Sequence, residues 1–449
     1  MANFNQTCHC RNGENMKEKM QNIKRMLTIA LMCISLTVML SSASDFVLRI
    51  YGNANMDDTI DDTDLKYIEG IINGANEKTK FADANYDQKI DQEDYIQIQK
   101  IINGTEKKLT FSDIFGEAET VNKPIKRLAN IGFYSLEITK VLDATDILLP
   151  VVGYDRSNQP VFYPEFSKWQ VVGYTPDDCD YEKILSLNPD AVMTNLEARW
   201  SMTTGLKDKA AFKEKFPGIP IICLNMREID VLPEMVMTYG YIIDREGEAR
   251  RFVNWFEGYK NTFESMTKGL AKEDRPTVYY EGGTPYKTKN STDRYAQAII
   301  LAGGDNIADN IPDAPVMFDV DPEFIVKQNP KFIIICAPSW DITASYETDD
   351  ISNLSQYRTE MMNRSVLSNV DAIKNNRVYV LDGNIFEGAG RNVIGIAYIG
   401  KLLHPDLFKD IDPQAIQQEY TSEIWNLDFD VSSHGAFTYP PYNTWPKAS

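Results

Sequence analysis

With 449 residues, the chain is long enough for two or three domains with cores of their own. Its 65 acidic residues against 46 basic ones leave a net charge of −19. That charge excludes nucleic acid as a partner, because phosphates call for a basic surface.

The first fifteen or so residues are uninformative, and Met16 and Met20 are alternative starts that stand closer to the apolar run over 26–40. Lys17, Lys19, Lys24 and Arg25 precede that run, which leads into Ser41-Ser-Ala-Ser44. A positive flank, an apolar stretch and small residues make an export signal, cleaved or kept as an anchor. The chain is therefore expected outside the cytoplasm, at the cell surface or anchored to the membrane. Cys33 follows Met32, not the small residue that a lipid-attachment site prefers. Beyond the signal only Cys179, Cys223 and Cys336 remain. Cys223 and Cys336 sit in apolar runs, so they read as buried thiols, not a disulfide framework.

Residues 53–104 hold an internal repeat: Asn53, Asn55, Asp57, Asp61 and Asp64 recur thirty positions on as Asp83, Asn85, Asp87, Asp91 and Asp94. Oxygen side chains at positions 1, 3, 5, 9 and 12 are the spacing by which a loop wraps a hard cation. The backbone carbonyls of Thr59 and Lys89 fill position 7. Two calcium ions are the expected cofactors. Each loop leads into a helix, Leu65–Gly74 and Tyr95–Gly104, ending on a glycine that suits a helix terminus. Aspartate at position 12 and one helix per loop resemble a type I dockerin over residues 50–106. That resemblance implies a small all-α calcium module and, as partner, a cohesin-like domain. Position 6, normally Gly, is Asp58 in one loop and Gln88 in the other. Positions 10 and 11, which help choose the cohesin in that family, are Asp62-Thr63 and Gln92-Glu93 here, not the usual Ser-Thr. The module then serves as a tether if no cohesin exists.

From about residue 110 the pattern alternates strands and helices. Strands are expected at 127–131, 148–152, 191–194, 219–224, 277–280, 331–336 and 377–381, with a helix at 135–142. One phrase occurs twice, as Glu182-Lys-Ile-Leu-Ser-Leu-Asn-Pro-Asp190 and Glu323-Phe-Ile-Val-Lys-Gln-Asn-Pro-Lys331. Each begins beside an acidic cap, Asp180 or Asp321, gives about two helical turns and stops at Asn-Pro before a buried strand. The recurrence predicts two α/β lobes with a cleft between them. Between the phrases, Asp244–Met266 carries Ala249, Phe252, Val253, Phe256, Tyr259 and Phe263 at helical spacing. It reads as one stiff connector helix, which would limit closure and leave the cleft largely preformed.

The order of these phrases carries a second resemblance. Lys126-Arg127 opens a strand, Val152-Gly153 and Val171-Val-Gly173 follow, and then comes the Asn-Pro-Asp phrase. The long helix, Leu301-Ala-Gly-Gly-Asp-Asn-Ile307, Asn376-Arg-Val-Tyr379 and Gly395–Pro405 complete it. Together they resemble the helical-backbone substrate-binding proteins of ABC importers for ferric siderophores, haem and cobalamin, over nearly all of 115–425. The fold class is then α/β: two Rossmann-like lobes joined by a long connector helix and preceded by the all-α module. The divisions are 1–45 extension and signal, 46–108 calcium module, 112–228 lobe 1, 229–272 connector, 273–430 lobe 2 and 431–449 tail.

The resemblance implies a monomeric receptor that captures a metal chelate, foremost a ferric siderophore, and hands it to a membrane permease. It places the ligand on loops at the carboxyl ends of the strands. Those loops hold Phe133, Tyr134, Tyr154, Asn195, Trp200 and Met226 in lobe 1. In lobe 2 they hold Tyr280, Tyr286, Trp340, Phe386 and Arg391. The aromatic rings suit the flat parts of a chelate, and Arg391 suits its carboxylates. The same resemblance assigns permease docking to Glu197 and Asp305. His404 and His434 alone follow the signal, which disfavours a bare transition metal. The rival readings are a dockerin-bearing hydrolase and an adhesion protein. No Gly-x-Ser-x-Gly elbow, phosphate-binding loop or zinc-protease helix is present, so no enzyme is expected.

Overall fold

A computed structural model describes residues 46–194, 202–338, 345–386 and 388–446. The export signal lies outside them. No helix among the described residues is long and apolar enough to cross a membrane.

The N-terminal module is built as its repeat predicts. Helix α1 (Asp62–Ile72) and α2 (Gln92–Ile102) each start from a reciprocal cap. Asp61 and Asp91 accept from the first helical turn, while Asp64 and Asp94 reach back to the cap amides. The helices bury Ile68, Ile71, Ile98 and Ile101 against one another. A hairpin that the sequence did not announce, β1 (Lys108–Ser112) with β2 (Ala118–Asn122), joins the module to lobe 1. Ile50 bridges to Phe111 of β1, and Leu109, Phe111 and Val121 are buried.

Lobe 1 runs β3 (Leu128–Asn130), α3 (Phe133–Val141), β4 (Val151–Val152), β5 (Gln170–Val171), α4 (Tyr181–Ser186), β6 (Ala191–Thr194), α5 (Met202–Lys215) and β7 (Ile221–Cys223). Strands β3, β6 and β7 form one parallel sheet in that order, and β4 pairs with β5. Asp180 caps α4 through the amide of Lys183, 2.9 Å away. Asn188 ends the phrase in the left-handed region, φ 48°.

The connector predicted over Asp244–Met266 is one unbroken helix, and a second helix precedes it. The preceding helix, α6 (Leu232–Ile243), stops at Asp244, which is left-handed at φ 59°, and α7 (Glu246–Thr267) follows. Ala249, Phe252, Val253, Phe256 and Phe263 are buried on α7, as their spacing predicts. The N-terminal module rests on this pair. Arg250 of α7 holds Asp58 at 2.5 Å, and the Tyr241 hydroxyl of α6 accepts from the Ile60 amide at 3.0 Å.

Lobe 2 runs β8 (Thr277–Gly282), β9 (Lys287–Lys289), α8 (Arg294–Leu301), β10 (Asp305–Asn306), β11 (Met317–Asp319), α9 (Pro322–Gln328), β12 (Phe332–Ala337), α10 (Ser352–Met362), α11 (Asp371–Lys374), β13 (Val378–Asp382), α12 (Asn392–Leu403), α13 (Pro413–Glu419) and β14 (Thr438–Tyr439). Its main sheet has the order β10-β8-β12-β13-β14, parallel except for β14. The tail is thus not a separate piece, because β14 within it closes the sheet. Asp321 caps α9, and Asn329 repeats the left-handed stop at φ 45°. The same sequence phrase therefore makes the same local structure in both lobes.

Candidate functional sites

Loops at the carboxyl ends of β3 and β4 bring an aromatic wall to the face of lobe 1 that meets lobe 2. Phe133 and Tyr134 open α3, and the ring of Phe133 lies 5.1 Å from that of Tyr154. Tyr154 stacks on Tyr174 at 3.9 Å, a residue the sequence reading missed. Lobe 2 answers with a row of Tyr280, Tyr295 and Phe386, whose successive ring centroids stand 5.6 Å apart. Tyr280 and Phe386 are buried, as is Met226, whose carbonyl accepts from the Ala389 amide across the seam at 3.1 Å. Tyr286 stands apart from this group. It packs on the core of lobe 2 with the Arg364 guanidinium 4.6 Å above its ring. Asn195, Glu197, Trp200 and Trp340 lie outside the described residues.

The lobes touch directly where an open, preformed cleft was expected. Arg294 donates to the Tyr134 hydroxyl at 3.0 Å, and Arg227 reaches Asp293 at 3.3 Å. Tyr134 comes so close to Gly388 that a Cβ there would meet its ring at 2.0 Å. To one side, Phe162 of lobe 1 stacks between Tyr346 and Trp425 at 4.6 and 4.7 Å, and the Trp425 indole donates to its carbonyl. A surface groove of about 650 Å³ beside Asp412, Gln418 and Asp430 is elsewhere, at the carboxyl end of lobe 2. It has no part in the seam.

Arg391 corrects the sequence reading most sharply. It is wholly buried and grips Glu137 of lobe 1 with two 2.8 Å hydrogen bonds, while a further amino group donates to the Asn384 carbonyl. Tyr163 donates to the same Glu137. Its charge is committed to holding the lobes together and is not offered to a ligand. The cationic side chains facing the seam are instead Arg156, Arg227, Lys289 and Arg294. Burial works to raise the Asp293 carboxyl, but Lys289, Arg294 and Arg227 outweigh it and hold the group below the usual range. Burial also lowers Lys289. These residues escaped the sequence reading because it searched for aromatics; arginines two residues past Tyr154 and just after the Asp293 cap were the available signal.

Asp305 begins β10 opposite Thr277, at the amino end of β8. The cleft loops leave the carboxyl ends of the strands, so Asp305 lies at the other end of the sheet.

In the module, the two loops share one hydrogen-bond pattern. Asp64 accepts from the Asn55 and Asp61 amides, and Asp94 from those of Asn85 and Asp91. Asp57 and Asp87 each accept from the amide two residues on. Desolvation pushes Asp64 up to about 6, helped by the neighbouring Asp57 and Asp61, and it raises Asp94 as well. One buried carboxylate in each loop, with partly exposed acids beside it, suits a hard cation. Among the described residues, however, no three His, Cys, Asp or Glu side chains are already gathered as a metal cage.

Residues 131–385, more than half of the chain, match the periplasmic binding protein family. A TroA-like periplasmic binding protein, FepB, of Veillonella parvula shares the fold at TM-score 0.59 and 20% identity, over 73% of this chain and 98% of that one. The molybdate-bound protein MolA of Haemophilus influenzae aligns at TM-score 0.56 and 16% identity, over 71% and 98%. Helicobacter pylori CeuE with Ni(II) bound aligns at 0.54 and 20%, over 71% and 97%. No curated protein matches the chain in sequence.

Proposed function

The chain belongs to the periplasmic binding protein family, and from that premise we propose that it is the extracytoplasmic receptor of an ABC importer. It captures a metal chelate, foremost a ferric siderophore, between the lobes and delivers it to a membrane permease. The observation that carries this reading is the pairing of aromatic walls with a cluster of cations at one seam. Phe133, Tyr134 and Tyr154 face Tyr295 and Phe386, with Arg227, Lys289 and Arg294 among them. Aromatic faces cover the apolar parts of a chelate, and guanidinium groups match its oxygen donors. Opening must break the Arg294–Tyr134 and Arg227–Asp293 contacts, which a ligand with equivalent acceptors replaces. Cobalamin and haem are the alternative ligands of the same architecture.

The N-terminal module is proposed to bind two calcium ions. Asn53, Asn55, Asp57, Asp61 and Asp64 would hold one, with the Thr59 carbonyl. Asp83, Asn85, Asp87, Asp91 and Asp94 would hold the other, with the Lys89 carbonyl. Calcium supplies the charge that the buried carboxylates lack. A cohesin-like partner belongs to the same dockerin-like reading, with the docked face of loop 1 excluded from it.

The test is a titration of the purified protein with ferric catecholate, ferric hydroxamate, haem and cobalamin, read by calorimetry and melting temperature. Binding of one at micromolar affinity or better supports the receptor. If all fail at roughly tens of micromolar, the weakest affinity useful to a scavenging receptor, chelate capture is wrong. Polysaccharide hydrolysis by the same preparation would favour the dockerin-bearing enzyme instead.

A further inference from the structure

Arg156 follows β4 in the loop that also carries Tyr154, and only 4% of it is exposed. Its guanidinium carbon lies 3.6 Å from the ring centroid of Phe133 and 4.4 Å from that of Tyr163. Among the described residues it makes no ion pair, and its buried Nε and Nη2 have no hydrogen-bond partner. The neighbouring acids are committed elsewhere. Glu137 is held by Arg391 and Tyr163, and Asp155 caps the Ser157 amide. A guanidinium cannot shed its proton, so burial leaves a permanent charge between two rings. Nε and Nη2 form the edge of the guanidinium whose parallel N–H bonds match two oxygens of one anion.

We propose that Arg156 reads an oxyanion group of the ligand, such as a carboxylate or catecholate, which docks on its Nε–Nη2 edge beside Phe133. This rests on the receptor reading above and narrows it: the ligand is an anionic chelate, and Arg156 selects it over neutral ones. The arrangement also separates binding from folding. Arg391 stabilises the seam through a completed ion pair, whereas Arg156 carries a charge that the fold leaves uncompensated.

The test compares wild type with Arg156→Met and Arg156→Lys. Each is titrated with an anionic ferric tris-catecholate and a neutral ferric trihydroxamate, and melted without ligand. The expected result is at least tenfold weaker catecholate binding by Arg156→Met, with partial recovery in Arg156→Lys. Hydroxamate binding should stay unchanged, and the ligand-free melting temperature of Arg156→Met should be equal or higher. A structural arginine behaves differently, so a fall of several degrees in the ligand-free Arg156→Met protein overturns the proposal. Catecholate affinity within about threefold of wild type overturns it too. If the wild type binds neither chelate, the chelate receptor fails by itself. The anion site then stands if molybdate raises the melting temperature of wild type but not of Arg156→Met, and falls if it does not.

Discussion

The N-terminal module and the seam between the lobes bury charge in opposite ways. In the module, Asp64 and Asp94 are fully buried among other acids, and desolvation raises both carboxyls. In the seam, Glu137 and Arg391 are equally buried, but opposite charges meet there: the Arg391 Nη2 donates to both Glu137 oxygens across 254 positions of sequence. A completed pair holds structure together; an incomplete cluster is a place for something to bind. The net charge of −19 conceals this division, because the seam gathers cations while the module gathers anions.

The largest expected effect would break the completed pair. Arg391→Met or Glu137→Leu alone leaves a buried charge unmatched and should cost about 3–5 kcal/mol. The Glu137→Leu/Arg391→Met double variant should recover most of that loss, since packed apolar side chains replace a buried pair with little penalty. Urea denaturation of the singles and the double checks both statements. Single variants within about 1 kcal/mol of wild type would mean that the seam does not depend on the pair.

Completing the incomplete cluster comes next in size. Calcium at a hundred times its dissociation constant should stabilise the module by about 2.7 kcal/mol per site. Amide exchange over 46–106 should slow on adding calcium and quicken in chelator. Because Asp58 and Ile60 touch α7 and α6, the change should extend into the contacts of Arg250 and Tyr241. Exchange unaltered by chelator would remove calcium from the account.

Without calcium, pH should act on the same carboxyls with a definite sign. Asp64 sits at about 6 when folded, above its ordinary value of 3.8, so the folded chain holds that proton more tightly than the unfolded chain. Stability therefore falls as pH rises through about 6, by on the order of 2 kcal/mol. Asp382, pushed up to about 7 by burial, adds a loss of the same sign slightly higher. Melting between pH 5 and 8 should show the fall, and calcium should cancel the Asp64 part but not that of Asp382. A calcium-free protein more stable at pH 8 than at pH 5 would contradict the burial argument.

The sequence made local features legible because their causes are local. The period-30 oxygens predicted both loops, and the Asn-Pro stops predicted α4–β6 and α9–β12, because capping and the left-handed turn need only neighbours. The predicted connector begins where it does for a similarly local reason: left-handed Asp244 ends α6, and α7 runs unbroken from Glu246 to Thr267. The site was harder to read. Arg391 looked like a ligand residue because its partner, Glu137, belongs to the other lobe. Arg156 went unnoticed because an uncompensated arginine looks, in sequence, like any other. Charge pairing across lobes is a property of the assembled fold, and no window of sequence contains it.

The smallest effect separates the two loops of the module, which are alike in sequence but not in surroundings. The Tyr241 hydroxyl accepts from the Ile60 amide at 3.0 Å and lies 3.3 Å from the Thr59 hydroxyl. That amide belongs to the same planar peptide unit as the Thr59 carbonyl, the position-7 ligand proposed for calcium. Fixing the amide therefore fixes the direction of the carbonyl. In loop 2, the position-7 residue Lys89 is exposed and has no such anchor among the described residues. Tyr241→Phe leaves the buried Ile60 amide without its acceptor, at a cost of about 1 kcal/mol, and frees the peptide to turn. Calcium calorimetry should then show one site weakened several-fold and the other unchanged. If both sites weaken together, the loops are coupled through the α1–α2 packing and the receptor's influence is global. If neither changes, α6 is only a resting place for the module, and the chemistry of loop 1 owes nothing to the receptor beneath it.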